Sequence, residues 1–152
     1  METPQLLLRN QVCFPIYSVS RLITKAYKPY LKVLGVTYPQ YLVLLVLWEN
    51  DSHTVNQISE KLLLNTNTLS PLLKRMEKME LLQRNRSTND ERSVVIQLTD
   101  KGKQLKIQAI PIPEKLLNTL LIENVRMDDV IKLKDLLSDW IRILSNNEKN
   151  AD

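Results

Sequence analysis

Hydrophobic positions recur with helical spacing along most of this chain and switch to strict alternation in one short stretch. Within Leu6 to Leu34, residues Cys13, Ile16, Tyr17, Ser20, Ile23, Tyr27 and Leu31 fall on one helical face. Pro15 removes a backbone donor there and clashes with the carbonyl of Gln11, so the regular helix starts close to Cys13 or kinks there. Thr37-Tyr-Pro-Gln40 has the form of a capping box, with Pro39 in the first turn. The helix it opens runs to about Glu49 and is apolar almost all round from Leu42 to Trp48, which predicts a buried central helix. Asn50 to His53 reads as a loop. Thr54-Val-Asn-Gln57 repeats the capping box and opens a short helix with Val55, Ile58 and Leu62 inward.

A polar turn near Leu64–Asn67 leads into a second short helix, whose Leu69, Leu72, Leu73 and Met76 form an apolar stripe. Pro71 belongs within about the first turn, which places the start between Asn65 and Thr68. A basic strand, a turn at Ser87–Arg92 and a second strand follow; in the latter, Val94, Ile96 and Leu98 alternate with Ser93, Val95 and Gln97. Thr99-Asp100 caps the next helix, Pro111 and Pro113 break the helical run from Gly102 to about Ile122, and Met127 to Leu144 forms a last amphipathic helix. Ser145 onward is polar and expected to fray. The expected fold is mainly α with a small β-hairpin wing. A winged helix-turn-helix spans residues 37–99, helical regions 5–36 and 100–146 form a dimerisation bundle, and 147–152 is a tail.

Composition adds limits. Only two glycines favour helices over a turn-rich, all-strand fold, and a charge of +4 with pI near 9.2 suits an acidic partner such as DNA without requiring one. A single cysteine, Cys13, excludes an intramolecular disulfide and any zinc site built on several thiolates. The start Met1-Glu-Thr-Pro lacks the features of a signal peptide, and the apolar run Tyr41–Trp48 falls short of the roughly 20 residues that span a bilayer. A cytoplasmic protein without a membrane partner is expected. One histidine, no nucleophile constellation and no glycine-rich phosphate loop argue against an enzyme and leave no cofactor to propose.

In the second short helix, small hydrogen-bonding residues (Thr66, Asn67, Thr68, Ser70) precede the cations Lys74, Arg75 and Lys78. This order suits a helix whose start reads base edges while its flanks hold phosphates. The pattern equally fits an amphipathic helix beside a surface hairpin with ordinary solvated charges. The helices outside the winged core carry more apolar surface than the central helix can cover, which points to a two-fold homodimer ahead of a monomer whose arms fold back on its own core.

Leu69-Ser-Pro-Leu-Leu-Lys-Arg-Met-Glu77, Asp90-Glu-Arg-Ser93 and Leu98-Thr-Asp-Lys-Gly102 resemble the MarR family of winged-helix transcriptional regulators. Gln11-Val-Cys-Phe14, with Tyr17, Tyr27-Lys-Pro29 and Thr37-Tyr-Pro-Gln-Tyr41, is similar to the organic-hydroperoxide-sensing OhrR branch and to staphylococcal-type one-cysteine redox regulators. The resemblance spans roughly residues 10–106. It implies an obligate dimer on double-stranded DNA at a pseudo-palindromic operator. Thr66, Asn67, Thr68 and Ser70 would face the major groove, and Lys74, Arg75, Arg84 and Arg86 would hold phosphates or nearby backbone. Arg92, steadied by Asp90, would reach into the minor groove. Cys13 would be the peroxide-reactive thiol, hydrogen-bonded across the dimer by Tyr17 and Tyr27. Three residues depart from the family pattern: Asn67 and Glu80 stand where relatives carry glycine, and Pro15 follows the cysteine.

A lone cysteine on an apolar stripe is most often a small buried hydrophobe. The redox reading rests on the helix dipole near Cys13, on tyrosine hydroxyls able to donate to a thiolate, and on the larger, more polar sulfenic acid that peroxide would produce. With no second cysteine, a low-molecular-weight thiol would cap the sulfenic acid, or it would overoxidise; a Cys13–Cys13 link ranks below both. Two alternatives stay open. One is a hydrophobic or phenolic ligand between the dimer arms and the winged domain, lined by Tyr17, Tyr27, Tyr30 and Trp48, with Cys13 structural. The other is a winged module that meets acidic proteins instead of DNA.

Overall fold

The computed structural model describes residues 3–86 and 93–149, and the chain forms two compact units, Met1–Ile112 and Pro113–Asp152. The order of elements is α1 (Cys13–Leu34), α2 (Tyr38–Glu49), β1 (His53–Thr54), α3 (Val55–Leu62), α4 (Thr66–Lys78), β2 (Leu82–Arg86), β3 (Val94–Leu98), α5 (Asp100–Ala109), α6 (Ile112–Leu120) and α7 (Met127–Lys149). Two single 3-10 turns, Pro4–Leu6 and Leu8–Asn10, precede α1. The proline-limited start at Cys13 is thus observed. α1 ends at Gly35, whose φ of 69° lets the Val36 N–H close back onto the Leu31 carbonyl at 3.1 Å.

Both capping boxes form. The Thr37 N–H donates to Gln40 Oε1 at 2.8 Å, and Thr54 and Gln57 exchange bonds of 2.8 and 3.2 Å. α2 is the centre of the first unit: Tyr41, Val43, Leu44 and Leu47 are almost fully enclosed, together with Ile58 of α3, Leu69, Leu73 and Met76 of α4, and Ile96 of β3. A three-residue turn, Leu63–Asn65, joins α3 to α4. Leu63 takes a left-handed conformation there (φ 52°), which lets the Leu64 N–H reach the Ser59 carbonyl at 3.1 Å.

The sheet is antiparallel with strand order β1-β3-β2. Its first strand corrects the expectation of a loop through His53. That residue pairs with Ile96, and the segment before it is pinned because Asp51 Oδ1 accepts from the Leu98 N–H at 2.9 Å. Pro71 lies deeper than expected, at the sixth position of α4, although the helix starts within the expected window. The break between α5 and α6 at Pro111 agrees with the sequence. In the second unit, α7 continues to Lys149, so Ser145–Lys149 is helical instead of frayed. No single described helix is long and apolar enough to cross a membrane.

Candidate nucleic-acid interface and thiol site

α4 turns its apolar stripe inward and leaves its opposite face to solvent. Leu69, Leu72, Leu73 and Met76 are buried, while Thr66, Asn67, Thr68, Pro71, Lys74, Arg75 and Lys78 are exposed and Ser70 is half-buried. Asn65 caps the helix, its Oδ1 accepting from the Asn67 N–H at 2.8 Å. The side chains of Thr66, Asn67 and Thr68 therefore project from a well-formed helix start. Further along the same face, Lys74 follows Pro71 by one turn and Lys78 by two, with Arg75 on the flank.

The turn from α4 to β2 is bound firmly. Glu80 stands where the resemblance leads one to expect glycine, and it adopts the left-handed conformation nonetheless (φ 59°). Thr99 Oγ1 donates to the Glu80 carbonyl at 2.5 Å, the Thr99 N–H to the Leu81 carbonyl at 3.2 Å, and Lys101 Nζ to the Met79 carbonyl at 2.8 Å. Arg86 is exposed at the outer end of β2, as a phosphate contact requires. Arg84 is only half-buried: its register neighbour Ile96 belongs to the core, and its Nε is enclosed without a hydrogen-bond partner among the described residues. Asp90 and Arg92 lie outside the described residues.

The thiol site is open in a single chain. Cys13 is the first residue of α1 and is exposed. Tyr17 lies one turn on, with its hydroxyl accepting from Arg21 Nη1 at 3.2 Å and the Arg21 guanidinium 5.5 Å from its ring centre. Tyr27 is fourteen residues from Cys13 along the same helix, a separation of about 21 Å at 1.5 Å per residue. It packs against Tyr38 and Tyr41, with ring centres at 4.9 and 5.8 Å. Burial raises the pKa of Tyr27, Tyr38 and Tyr41 above the ordinary phenol value, and pushes Tyr41 up to about 12. Around Cys13, Val12, Phe14, Ile16 and Val19 expose apolar side chains.

A cleft opens between α1 and the start of α2, with Arg21, Lys25, Lys28 and Lys32 along one wall and Tyr38 on the other. The four cations recur every three or four residues, a helical signal present in the sequence but outside the segments that carry the DNA-binding pattern. Tyr17, Tyr27, Tyr30 and Trp48 do not line this cleft. Tyr27 and Tyr30 pack on the core, and Trp48 is fixed by a bond from its Nε1 to the Gly102 carbonyl at 2.9 Å.

A three-residue turn between two short helices, an exposed polar and basic second helix, and a hairpin directly after it define a winged helix-turn-helix protein. A family model described as transcriptional regulator SarA/Rot matches residues 25–110. The organic hydroperoxide resistance transcriptional regulator of Bacillus subtilis is 46% identical over 94% of each chain. The structure of reduced AbfR bound to DNA, a protein of Staphylococcus epidermidis, is 36% identical, covers 96% of this chain and 98% of its own, and superposes with a TM-score of 0.78; an overoxidized AbfR is also bound to DNA. MarR of E. coli, 23% identical with a TM-score of 0.68 over 85% of this chain and 95% of its own, shares the fold. The chain belongs to the MarR/SarA family: it is a DNA-binding transcriptional regulator and not an enzyme.

Proposed function

We propose that this regulator is a homodimeric cytoplasmic repressor that holds a pseudo-palindromic operator while Cys13 is reduced and releases it when organic hydroperoxide oxidises that thiol. The observation that carries the reading is Cys13 itself, exposed at the first position of α1 amid exposed apolar side chains. The thiolate attacks the distal peroxide oxygen, forming an S–O bond as the O–O bond breaks. The alkoxide takes a proton and leaves as alcohol, and cysteine becomes sulfenic acid. A low-molecular-weight thiol then condenses with it, giving a mixed disulfide and water.

The resemblance pairs Tyr27 with the thiol, and because about 21 Å of helix separates the two within one chain, that pairing requires a dimeric sensor. Tyr27 would then donate to the thiol of a second copy. The likeness to a regulator named for organic hydroperoxide resistance, and to AbfR, whose structures include reduced and overoxidized forms, supports an oxidisable thiol. On DNA, Thr66, Asn67, Thr68 and Ser70 face the major groove, Lys74, Arg75, Arg84 and Arg86 hold the backbone, and Arg92 with Asp90 serves the minor groove.

The test is a titration of cumene hydroperoxide into the protein on its labelled operator, beside Cys13→Ser. Release of the wild type alone is expected; equal release of both, or of neither, removes the cysteine sensor. Arg92→Ala should weaken binding by at least about tenfold, as loss of an inserted arginine does. The cleft rimmed by Arg21, Lys25, Lys28 and Lys32 favours a second reading, release by a phenolic acid, which Cys13→Ser would retain.

A further inference from the structure

Among the described residues of α4, Pro71 is the one exposed position in the middle of the outer face that has neither charge nor hydrogen-bonding side chain. At the sixth position its missing N–H is not one of the free amides of a helix start. It is the donor that would close onto the Asn67 carbonyl. Its ring is exposed, so burial in the core does not offset that loss. At about 100° per residue, Pro71 falls opposite the stripe of Leu69, Leu72, Leu73 and Met76 and in line with Asn67, Lys74 and Lys78. The line therefore runs from an amide through a rigid apolar ring to two cations.

We propose that Pro71 is a specificity-determining residue of the DNA interface, its ring closing against the C5-methyl group of a thymine. This rests on the reading of α4 as the helix that enters the major groove. Among the base edges of that groove only thymine offers an apolar group, and a pyrrolidine ring can read nothing else. The ring has no rotamers to lose on contact, and Asn67 before it and Lys74 after it hold it in register with base edges and phosphates.

Duplexes are selected from a random-sequence pool by the reduced full-length protein. Each thymine of the selected half-site is then replaced by deoxyuridine, which lacks only the methyl group. One replacement should weaken wild-type binding by about fourfold, the worth of one buried methyl group, and leave Pro71→Ala unaffected at that position. Pro71→Ala restores the helical donor, so the variant folds, and its preferences at other positions should match the wild type. Pro71→Val, which keeps an apolar branch, should recover part of the thymine preference. The proposal is overturned if every replacement is neutral, if Pro71→Ala gives the same uracil profile as wild type, or if the half-site holds no thymine. A pool from which nothing is enriched overturns the reading of α4 as well, whereas sequence-selective binding with a flat uracil profile overturns only the role of Pro71.

Discussion

Two residues at the junction of α4, β2 and α5 set the geometry of the wing by opposite means. Gly102 is there for space: a Cβ on it would meet the Leu81 carbonyl oxygen at 2.0 Å, a backbone atom that cannot step aside. Its N–H donates to Thr99 Oγ1 at 3.1 Å and its carbonyl accepts from Trp48. Gly102→Ala should therefore force α5 away from the turn and destabilise the fold by about 2 kcal/mol or more, read as a fall in the urea midpoint with m unchanged. Glu80 is there despite its backbone. A left-handed residue with a Cβ costs about 1–2 kcal/mol, and its exposed contact with Lys101, at 3.9 Å, adds little. Glu80→Gly should raise stability by about 0.5–1 kcal/mol after the greater freedom of unfolded glycine is subtracted; a lower midpoint would mean that the glutamate has a partner role.

Among the elements, α4 is the one whose start matters most, because Thr66, Asn67 and Thr68, which we propose face the major groove, occupy its first turn. Removing the cap in Asn65→Ala should cost about 1 kcal/mol of stability, while Asn65→Asp should retain most of it. Operator affinity should fall more in the alanine variant than a phosphate-contact mutant of equal stability would show. The helices were legible because each signal was local: Thr37 with Gln40 and Thr54 with Gln57 meet within one turn, and the apolar stripes of α3 and α4 follow one period. β1 was not legible. Its two residues carry no alternation, and they become a strand only because Ile96 and Asp51, distant in sequence, hold them. Pro71 marked a boundary in the sequence but sits beyond the first turn, since the neighbouring stripe holds the helix together past it. Of the proposed thiol site, Cys13 and Tyr17 are one helical turn apart in sequence, whereas Tyr27 lies fourteen residues from Cys13 along α1 and would join them from another chain.

At the scale of the molecule, the tyrosine cluster gives the fold an alkaline limit. The folded state keeps Tyr41 protonated up to about 12, mainly through burial and then through Tyr27 and Tyr38, whereas the unfolded chain loses the same proton near 10.0. Stability is therefore level below the unfolded value and falls as pH rises toward the folded one. Urea midpoints measured across that window should drop, and Tyr41→Phe, which keeps the ring, should flatten the drop. If the variant and wild type fall in parallel, the limit lies elsewhere.

The bonds that tie Trp48 to Gly102, Lys106 Nζ to the Trp48 carbonyl at 2.8 Å, and Thr99 to the Glu80 turn bind α2, α5 and the turn after α4 to one another. In the proposed dimer, oxidation at α1 would then reach DNA as a phase error between the two winged heads. Because half-sites repeat about every 34 Å along the duplex, such an error would loosen both grips together, and a small displacement would suffice for an all-or-none response.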